Sequence, residues 1–237
     1  MDFEGALRDE TLGIVAEPAL PDRPPATLLI AFGGLASKLD GIPPFEFLSA
    51  LAEQSARRVF VRDLDQAWYQ EGVRGVASNL ADTTDALRAI VEEAQPTRVV
   101  TLGVSAGGFA AIYFGCQLRA DLAVAFSPQT FTSAALRRWH RDHRWTEEIA
   151  GLDRLDTATT CRDLRPIVAA SAHRVHRTAI QVHYGRSSRI DRAHARRLRR
   201  FENVTLFEHD AGHNTAKALK ERGELDGVLR RAVTPPA

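Results

Sequence analysis

The chain has 237 residues, of which 44% are hydrophobic and 26% are charged, a composition that is ordinary for a soluble globular protein with a sizeable core. Its 31 basic and 30 acidic residues give a formal net charge of +1. This balance excludes a net electrostatic field that would gather nucleic acid or an anionic membrane. We therefore expect a small-molecule partner, recognised at a local site, and neither nucleic-acid nor membrane partners.

The N-terminal sequence is acidic where a secretory signal peptide would be basic and then apolar. No window approaches the roughly 20 apolar residues that span a bilayer. The two cysteines, Cys116 and Cys161, are expected to be free thiols, as in a reducing compartment. Together these features predict a cytoplasmic location.

The first 60 residues contain several short structural signals. GALRD and LGIVAE predict the two strands of a hairpin. ATLLIAFGG is an apolar run that ends in two glycines, which is typical of a strand buried on both faces. PFEFLSALAEQ then predicts an amphipathic helix with Phe45, Leu48, Leu51 and Ala52 on one side.

Strands and helices alternate through the rest of the chain. The predicted strands are RRVFVRD, TRVVTLGV, LAVAFSP, TAIQVHYG and NVTLFEHD, and helical patterns such as TTDALRAIVEEA and GGFAAIYFGCQL separate them. This alternation predicts an α/β fold with a doubly wound, mostly parallel sheet. Residues 129–177 interrupt it with polar, Arg-rich helical pieces and predict a small helical cap, inserted late in a single domain of residues 1–237.

The stretch TLGVSAGGFAAIYFG places Ser105 where a strand passes into a helix. Glycine at positions 103 and 107 removes the clashes that side chains would cause at so sharp a turn, and the spacing is that of the nucleophile elbow G-x-S-x-G. A dinucleotide fingerprint would need glycine at position 105, and a phosphate-binding P-loop would need Gly-Lys-Ser/Thr. The remaining alternative is a serine that merely caps the helix.

A nucleophilic serine needs a base, and the base needs an acid that orients it. His213, in the loop after VTLFE, is expected at the same sheet edge as Ser105. In the loop GRSSRIDRAHA the only carboxylate is Asp191, which makes it the candidate acid. Asp191 could also cap a helix that begins at Arg192.

Backbone amides near Ser105 are candidates for binding an oxyanion. The N–H of Ala106 lies at the start of the helix, where the helix dipole adds to its attraction for negative charge. Gly34, in the glycine pair after ATLLIAF, is the first choice for the second donor, and Leu35 is the second choice.

Further side chains could contact a substrate or a metal ion. Leu35, Trp68 and Tyr69 are candidate substrate contacts, although the two aromatic residues could equally pack their loop against the sheet. The histidine pairs of the cap lack cysteine and a third ligand, so we expect no metal, and no motif indicates a cofactor.

The elbow GVSAGG, the FGG loop, Asp191 in GRSSRID, His213 in DAGHN and the chain order Ser, Asp, His together resemble the α/β-hydrolase family over roughly residues 26–232. The resemblance implies a triad of Ser105, His213 and Asp191, with Gly34 and Ala106 as oxyanion donors. It also implies a cap between the sixth and seventh core strands of the family, which matches the 129–177 insertion. The chain departs from the family pattern at its short N-terminal part and at the acid, which lies later in its loop.

The leading functional hypothesis is a serine hydrolase that cleaves a carboxylic ester, a thioester or an acetyl ester. One alternative is an acyltransferase that uses the same triad with an acceptor other than water. Another is a ligand-binding protein that keeps the fold without catalysis. The sequence leaves the substrate and the oligomeric state open.

Overall fold

The structure is a computed structural model that describes residues 2–19, 24–35, 45–155 and 158–234. Within these ranges seven strands form one sheet in the order β1-β3-β2-β4-β5-β6-β7. Their bounds are β1 Ile14–Ala16, β2 Thr27–Phe32, β3 Arg57–Val61, β4 Arg98–Val104, β5 Leu122–Phe126, β6 Ala179–Gly185 and β7 Val204–His209. β1 pairs antiparallel with β3, and all other neighbouring strands are parallel. The predicted mostly parallel sheet is confirmed.

Helices cover both faces of the sheet, as a doubly wound fold requires. Their bounds are α1 Phe3–Arg8, α2 Leu48–Leu51, α3 Leu80–Ala94, α4 Ala106–Leu118, α5 Ala134–His140, α6 Thr146–Leu152, α7 Arg165–Ala172, α8 Arg189–Arg196, α9 Thr215–Glu221 and α10 Leu225–Val233. Leu29 of β2 belongs to the core shared with α2, α9 and α10, whereas Leu28 and Ile30 face α3 and α4. Alternate residues of β2 thus serve two cores, which is why all six of its residues are buried and five of them are apolar.

Two expectations for the N-terminal region are wrong. GALRD forms part of helix α1 rather than a strand, because the Asp2 carboxylate accepts a 2.7 Å hydrogen bond from the Gly5 N–H and caps a helical turn. The helix predicted from PFEFLSALAEQ is reduced to α2. Its N-cap Phe47 has a φ of 64°, and Leu48 remains 36% exposed. LGIVAE does contain a strand, β1, but its partner is β3.

The segment between β5 and β6 contains α5, α6 and α7, and we refer to it as the inserted segment. Residues 156 and 157 of the predicted 129–177 cap lie outside the described residues. The buried side chains of Ile149, Leu152 and Val168 attach the inserted helices to the core formed by α4, β5 and β6. Backbone pairing between Phe131 and Asp163, in antiparallel orientation, joins the chain before α5 to the chain before α7.

In the described part of the chain, the helices are too short or too polar to cross a bilayer. The sheet ends on one side at β7, whose paired neighbour is β6, and the side chains of β7 alternate between partly buried and exposed. The carboxyl ends of β2, β4, β6 and β7 all lie at one edge because these strands are parallel.

At this edge the backbones of β2, β4 and α4 approach one another more closely than side chains would allow. A Cβ atom on Gly103 would lie 2.1 Å from the carbonyl oxygen of Gly107, and one on Gly107 would lie 2.2 Å from that of Phe32. The obstacles are backbone atoms, which cannot rotate away. Both positions therefore require glycine, as the elbow spacing predicts.

We expect Gly103→Ala to reduce the free energy of unfolding by about 3 kcal/mol or more, because the clash forces β4 and α4 apart. Chemical denaturation monitored by circular dichroism measures this loss. Gly151→Ala in α6 is the matched control, since no atom lies within 4 Å of its added Cβ. A Gly103→Ala protein as stable as the parent would contradict the assignment of a backbone clash.

Candidate functional site

Ser105 occupies the turn between β4 and α4 in a strained conformation. Its φ is 55° and its ψ is −114°, values that a residue with a side chain rarely adopts. The turn is held from three sides. The Ser105 N–H donates to the Phe126 carbonyl at 2.9 Å, and the Ser105 carbonyl accepts from the N–H groups of Phe109 and Gln129, both at 3.1 Å. These bonds fix the direction in which the hydroxyl projects.

The structure brings Ser105, His213 and Asp191 into one hydrogen-bonded chain. His213 Nε2 lies 3.2 Å from Ser105 Oγ, and His213 Nδ1 lies 3.0 Å from each carboxylate oxygen of Asp191. A proton on Nδ1 that is shared with the carboxylate leaves Nε2 free to accept the serine proton. Ser105 lies in the turn after β4, His213 in the loop after β7 and Asp191 in the first turn of α8, which follows β6; all three are at the edge that the sequence predicts.

Asp191 lies within the first turn of α8, and the helix is capped by another residue. The Ser188 hydroxyl accepts a hydrogen bond from the Asp191 N–H at 3.2 Å, so Ser188 is the N-cap. The alternative in which Asp191 caps the helix is wrong. The Asp191 side chain is fully buried. Burial alone would raise the pKa of this carboxyl, but the hydrogen bond from His213 and the charge of Arg144 outweigh it and hold the pKa below its ordinary value.

The three backbone groups considered as oxyanion donors lie around Ser105. Ala106 is the first residue of α4, so its N–H has no partner within the helix. A Cβ on Gly34 would lie 3.7 Å from the Ser105 Cβ, which places the Gly34 peptide beside the serine. Leu35 is partly buried and packs against the core cluster that contains Ala106.

Trp68 and Tyr69, the predicted substrate contacts, are both fully buried. The Trp68 indole donates to Gln129 Oε1 at 2.7 Å, and the Tyr69 hydroxyl donates to the Gly33 carbonyl at 2.8 Å. Neither side chain presents surface to a ligand in this structure, so the alternative interpretation, that they pack the loop, replaces the expectation of substrate contact. Because the Gly33 carbonyl shares a peptide plane with the Gly34 N–H, Tyr69 also fixes the direction of that N–H.

Asp63 holds the loop that carries these two aromatic residues. Its Oδ2 accepts from the N–H groups of Ala67 at 2.7 Å and of Tyr69 at 2.8 Å. Trp68 and Tyr69 have φ values of 52° and 60°, so the loop depends on such bonds to keep its shape. Burial raises the pKa of the Asp63 carboxyl to about 6, although these N–H groups act in the opposite direction. Its contacts indicate a loop-forming residue.

Glu46 is a site residue that the sequence analysis missed. Its Oε1 would lie 3.4 Å from a Cβ on Gly34, and the Gly34 N–H faces its carboxyl group. Burial raises the pKa of Glu46 from 4.5 to about 7, and the Gly34 N–H opposes this shift. The residue follows no recognisable motif, so only the folded position of its loop could reveal it.

An open cleft of 370 Å³ is lined by residues that flank Ser105 and His213 in the chain, and none of the three hydrogen-bonded residues lines it. Glu46 and Phe47 line it from one side, Lys217 lines it from α9, and it reaches Val104 and Asn214, the neighbours of Ser105 and His213 in the chain. No group of three or more potential metal-ligating side chains occurs in the ranges that the structure describes. Cys116 and Cys161 are both free thiols.

Arg144 is a second residue that the sequence analysis missed, and it comes from the inserted segment. Its Nη1 donates to Asp191 Oδ1 at 3.0 Å and lies 3.4 Å from His213 Nδ1. The sequence around it, Arg-Asp-His-Arg-Trp, contains several charges but no spacing that points to the triad residues. Only the folded arrangement of the insertion over α8 brings it there.

We expect Glu46→Gln to stabilise the protein at about pH 8, on the order of 1 kcal/mol, because it removes a buried carboxyl that must ionise. The Glu46 pKa is higher in the folded chain than in the unfolded chain, so the parent loses stability as the pH rises from 4.5 towards about 7. Below this window the carboxyl is protonated in both states, and the advantage of the variant disappears. Urea denaturation across this pH range measures the difference.

Glu53→Gln is the matched control, since Glu53 is an exposed residue of the same segment. It should leave the pH dependence of stability unchanged. The same pH dependence in the parent and in Glu46→Gln would show that Glu46 does not titrate in this window.

Among known proteins, this chain has similar solved structures, but it matches no protein-family model, and no curated protein matches it in sequence. Among solved structures, the capsule O-acetyltransferase of Neisseria meningitidis serogroup A is similar with a TM-score of 0.66 at 12% identity, over 93% of this chain and 90% of that one. FphF, a fluorophosphonate-binding serine hydrolase of Staphylococcus aureus, is similar with a TM-score of 0.59 at 14% identity, over 94% and 92%.

A third similar structure is MPT51 (FbpC1) of Mycobacterium tuberculosis, with a TM-score of 0.61 at 12% identity over 93% of each chain. At sequence identities this low, the similarity indicates a shared fold and not a shared activity. The mostly parallel sheet and these likenesses agree with the resemblance that the sequence motifs indicate. The chain has an α/β-hydrolase-like fold.

Proposed function

We propose that the chain is a serine hydrolase that cleaves a carboxylic ester through an acyl-enzyme, with Ser105 as nucleophile, His213 as general base and Asp191 as the acid that orients it. The observation that carries the proposal is the continuous contact from Ser105 Oγ to His213 Nε2 at 3.2 Å and from His213 Nδ1 to Asp191 at 3.0 Å. A serine that only capped α4 would have no need of this arrangement. In fact, the Ser105 side chain makes no capping hydrogen bond.

In the first half of the reaction, Ser105 Oγ attacks the ester carbonyl carbon while its proton passes to His213 Nε2. The Asp191 carboxylate stabilises the imidazolium that forms. When the tetrahedral intermediate collapses, the bond to the leaving alcohol breaks and His213 returns the proton to that oxygen. Water repeats the sequence on the acyl-enzyme, with His213 again as base, and releases the carboxylic acid.

The negative charge on the carbonyl oxygen is assigned to the N–H groups of Ala106 and Gly34. The N-terminal position of Ala106 in α4 supports the first assignment, and the placement of Gly34 beside Ser105 supports the second. The Gly34 N–H faces Glu46 in the structure, so an oxyanion and this carboxyl compete for one donor. Leu35 N–H is the alternative donor. The cleft beside Val104 and Asn214 is the proposed place for part of the substrate.

Acyl transfer is the second candidate function. It is favoured by the likeness to the capsule O-acetyltransferase, which extends over nearly the whole length of both chains. The first half-reaction is the same, and an acceptor hydroxyl replaces water in the second. Incubation with an activated acyl donor, with and without a polyol acceptor, separates the two candidates, because mass spectrometry then reports either the free acid or the acylated acceptor.

We expect a fluorophosphonate probe to label the parent chain at one residue and Ser105→Ala not at all, because the probe phosphonylates only an activated serine. Intact-mass spectrometry and peptide mapping measure the labelling. Ser55→Ala, which removes an exposed serine elsewhere, is the control and should label as the parent does. Labelling of Ser105→Ala at the parental level would assign the nucleophile to another residue.

We expect Tyr69→Phe to lower kcat for a chromogenic ester by about tenfold, because the Gly33 carbonyl loses the hydrogen bond that fixes the direction of the Gly34 N–H. Complete loss of one oxyanion donor typically lowers kcat by about 10²-fold to 10³-fold, so a misdirected donor should cost less. Steady-state kinetics measure the loss, with thermal melting to verify the fold. Tyr113→Phe in α4 is the control that removes a hydroxyl away from this loop. An unchanged kcat in Tyr69→Phe would contradict a role for the Gly34 donor.

A further inference from the structure

The guanidinium of Arg144 binds the same carboxylate as His213. Besides donating to Asp191 Oδ1 at 3.0 Å, Arg144 Nη1 stands 3.4 Å from the ring nitrogen that faces this carboxylate. Arg144 lies between α5 and α6, in the inserted segment, and its side chain is 29% exposed. The Asp191 carboxylate therefore receives hydrogen bonds from two elements that are distant in the chain.

Asp142 holds the Arg144 guanidinium in place. Arg144 Nε donates to Asp142 Oδ1 and Arg144 Nη2 donates to Asp142 Oδ2, both at 2.9 Å. This paired contact fixes the plane of the guanidinium as well as its position. The free nitrogen, Nη1, is thereby aimed at Asp191.

His194 holds Asp142 in turn, and its hydrogen bonds define its protonation. The Thr130 N–H donates to His194 Nδ1 at 3.0 Å, so that nitrogen carries no proton. His194 Nε2 then donates to Asp142 Oδ2 at 3.1 Å. The ring is fully buried and neutral, and burial lowers its pKa to about 4. Asp142 is therefore the negative charge that balances Arg144, and α8 carries both His194 and Asp191.

We propose that Arg144 is a positioning residue of the catalytic site: it holds the Asp191 carboxylate in the orientation that His213 requires. The inference rests on the proposed function. The Asp191 side chain is fully buried, and the hydrogen bond from Arg144 Nη1 fixes Oδ1 while His213 Nδ1 contacts both carboxylate oxygens.

The test is the rate constant for fluorophosphonate labelling of Ser105, which requires no knowledge of the substrate. In Arg144→Gln we expect about tenfold slower labelling, because the Asp191 carboxylate loses the hydrogen bond that orients it. Arg144→Lys keeps a charged donor but not the paired contact with Asp142, so we expect its labelling rate to lie between those of Arg144→Gln and the parent.

Arg138→Gln, an exposed arginine of α5, is the matched control and should reproduce the parental labelling rate. Labelling of Arg144→Gln at the parental rate overturns the inference. If thermal melting shows that Arg144→Gln does not fold, Arg144→Lys decides: labelling at the parental rate overturns the inference. Absence of labelling in the parent would instead refute the proposed function, so the two failures are distinguishable.

Discussion

The close approach of three backbones beneath Ser105 is the constraint on which the candidate site depends. Gly103, Gly107 and the end of β2 are so near one another that only hydrogen atoms fit at the two glycine positions. This contact lets α4 begin immediately after β4, and it forces Ser105 into a positive φ. The strain costs on the order of 1–3 kcal/mol, which the buried sheet around it offsets. The same contact places the Gly34 peptide and the N-terminus of α4 on either side of one hydroxyl.

Around this turn, most groups that orient the candidate catalytic atoms are buried. Asp63 fixes the Trp68–Tyr69 loop, Tyr69 fixes the Gly33 carbonyl, and the rigid peptide plane transmits that orientation to the Gly34 N–H. On the opposite side, Asp142 fixes Arg144, which contacts Asp191. Each chain of contacts uses a buried carboxylate as its fixed point. Orientation by buried groups is what a reaction needs when its geometry must be ready before the substrate arrives.

The sequence was sufficient for the features that depend on local pattern. Alternating strand and helix patterns identified β2 to β7, and the order of Ser105, Asp191 and His213 in a parallel sheet placed all three at one edge. The sequence was not sufficient where contacts between residues distant in the chain determine the structure. GALRD forms part of α1 because the Asp2 carboxylate caps that helix. Trp68 and Tyr69 are buried because their loop folds against the end of β2. Arg144 and Glu46 reach the site on loops, whose course cannot be predicted from hydrophobic periodicity. The sequence also did not reveal that Ser188, and not Asp191, caps α8.

The position of β7 at the end of the sheet has a consequence for how the protein responds to heat. β7 is bonded to β6 alone in the described part of the chain, and the loop that follows it carries His213. An edge strand can detach by breaking one ladder of hydrogen bonds, at a lower cost than global unfolding. Such an opening would withdraw His213 from Ser105 while the other strands stay paired. Loss of the contact between Ser105 and His213 and global unfolding are thus two separate events, and the first requires only the β6–β7 ladder to open.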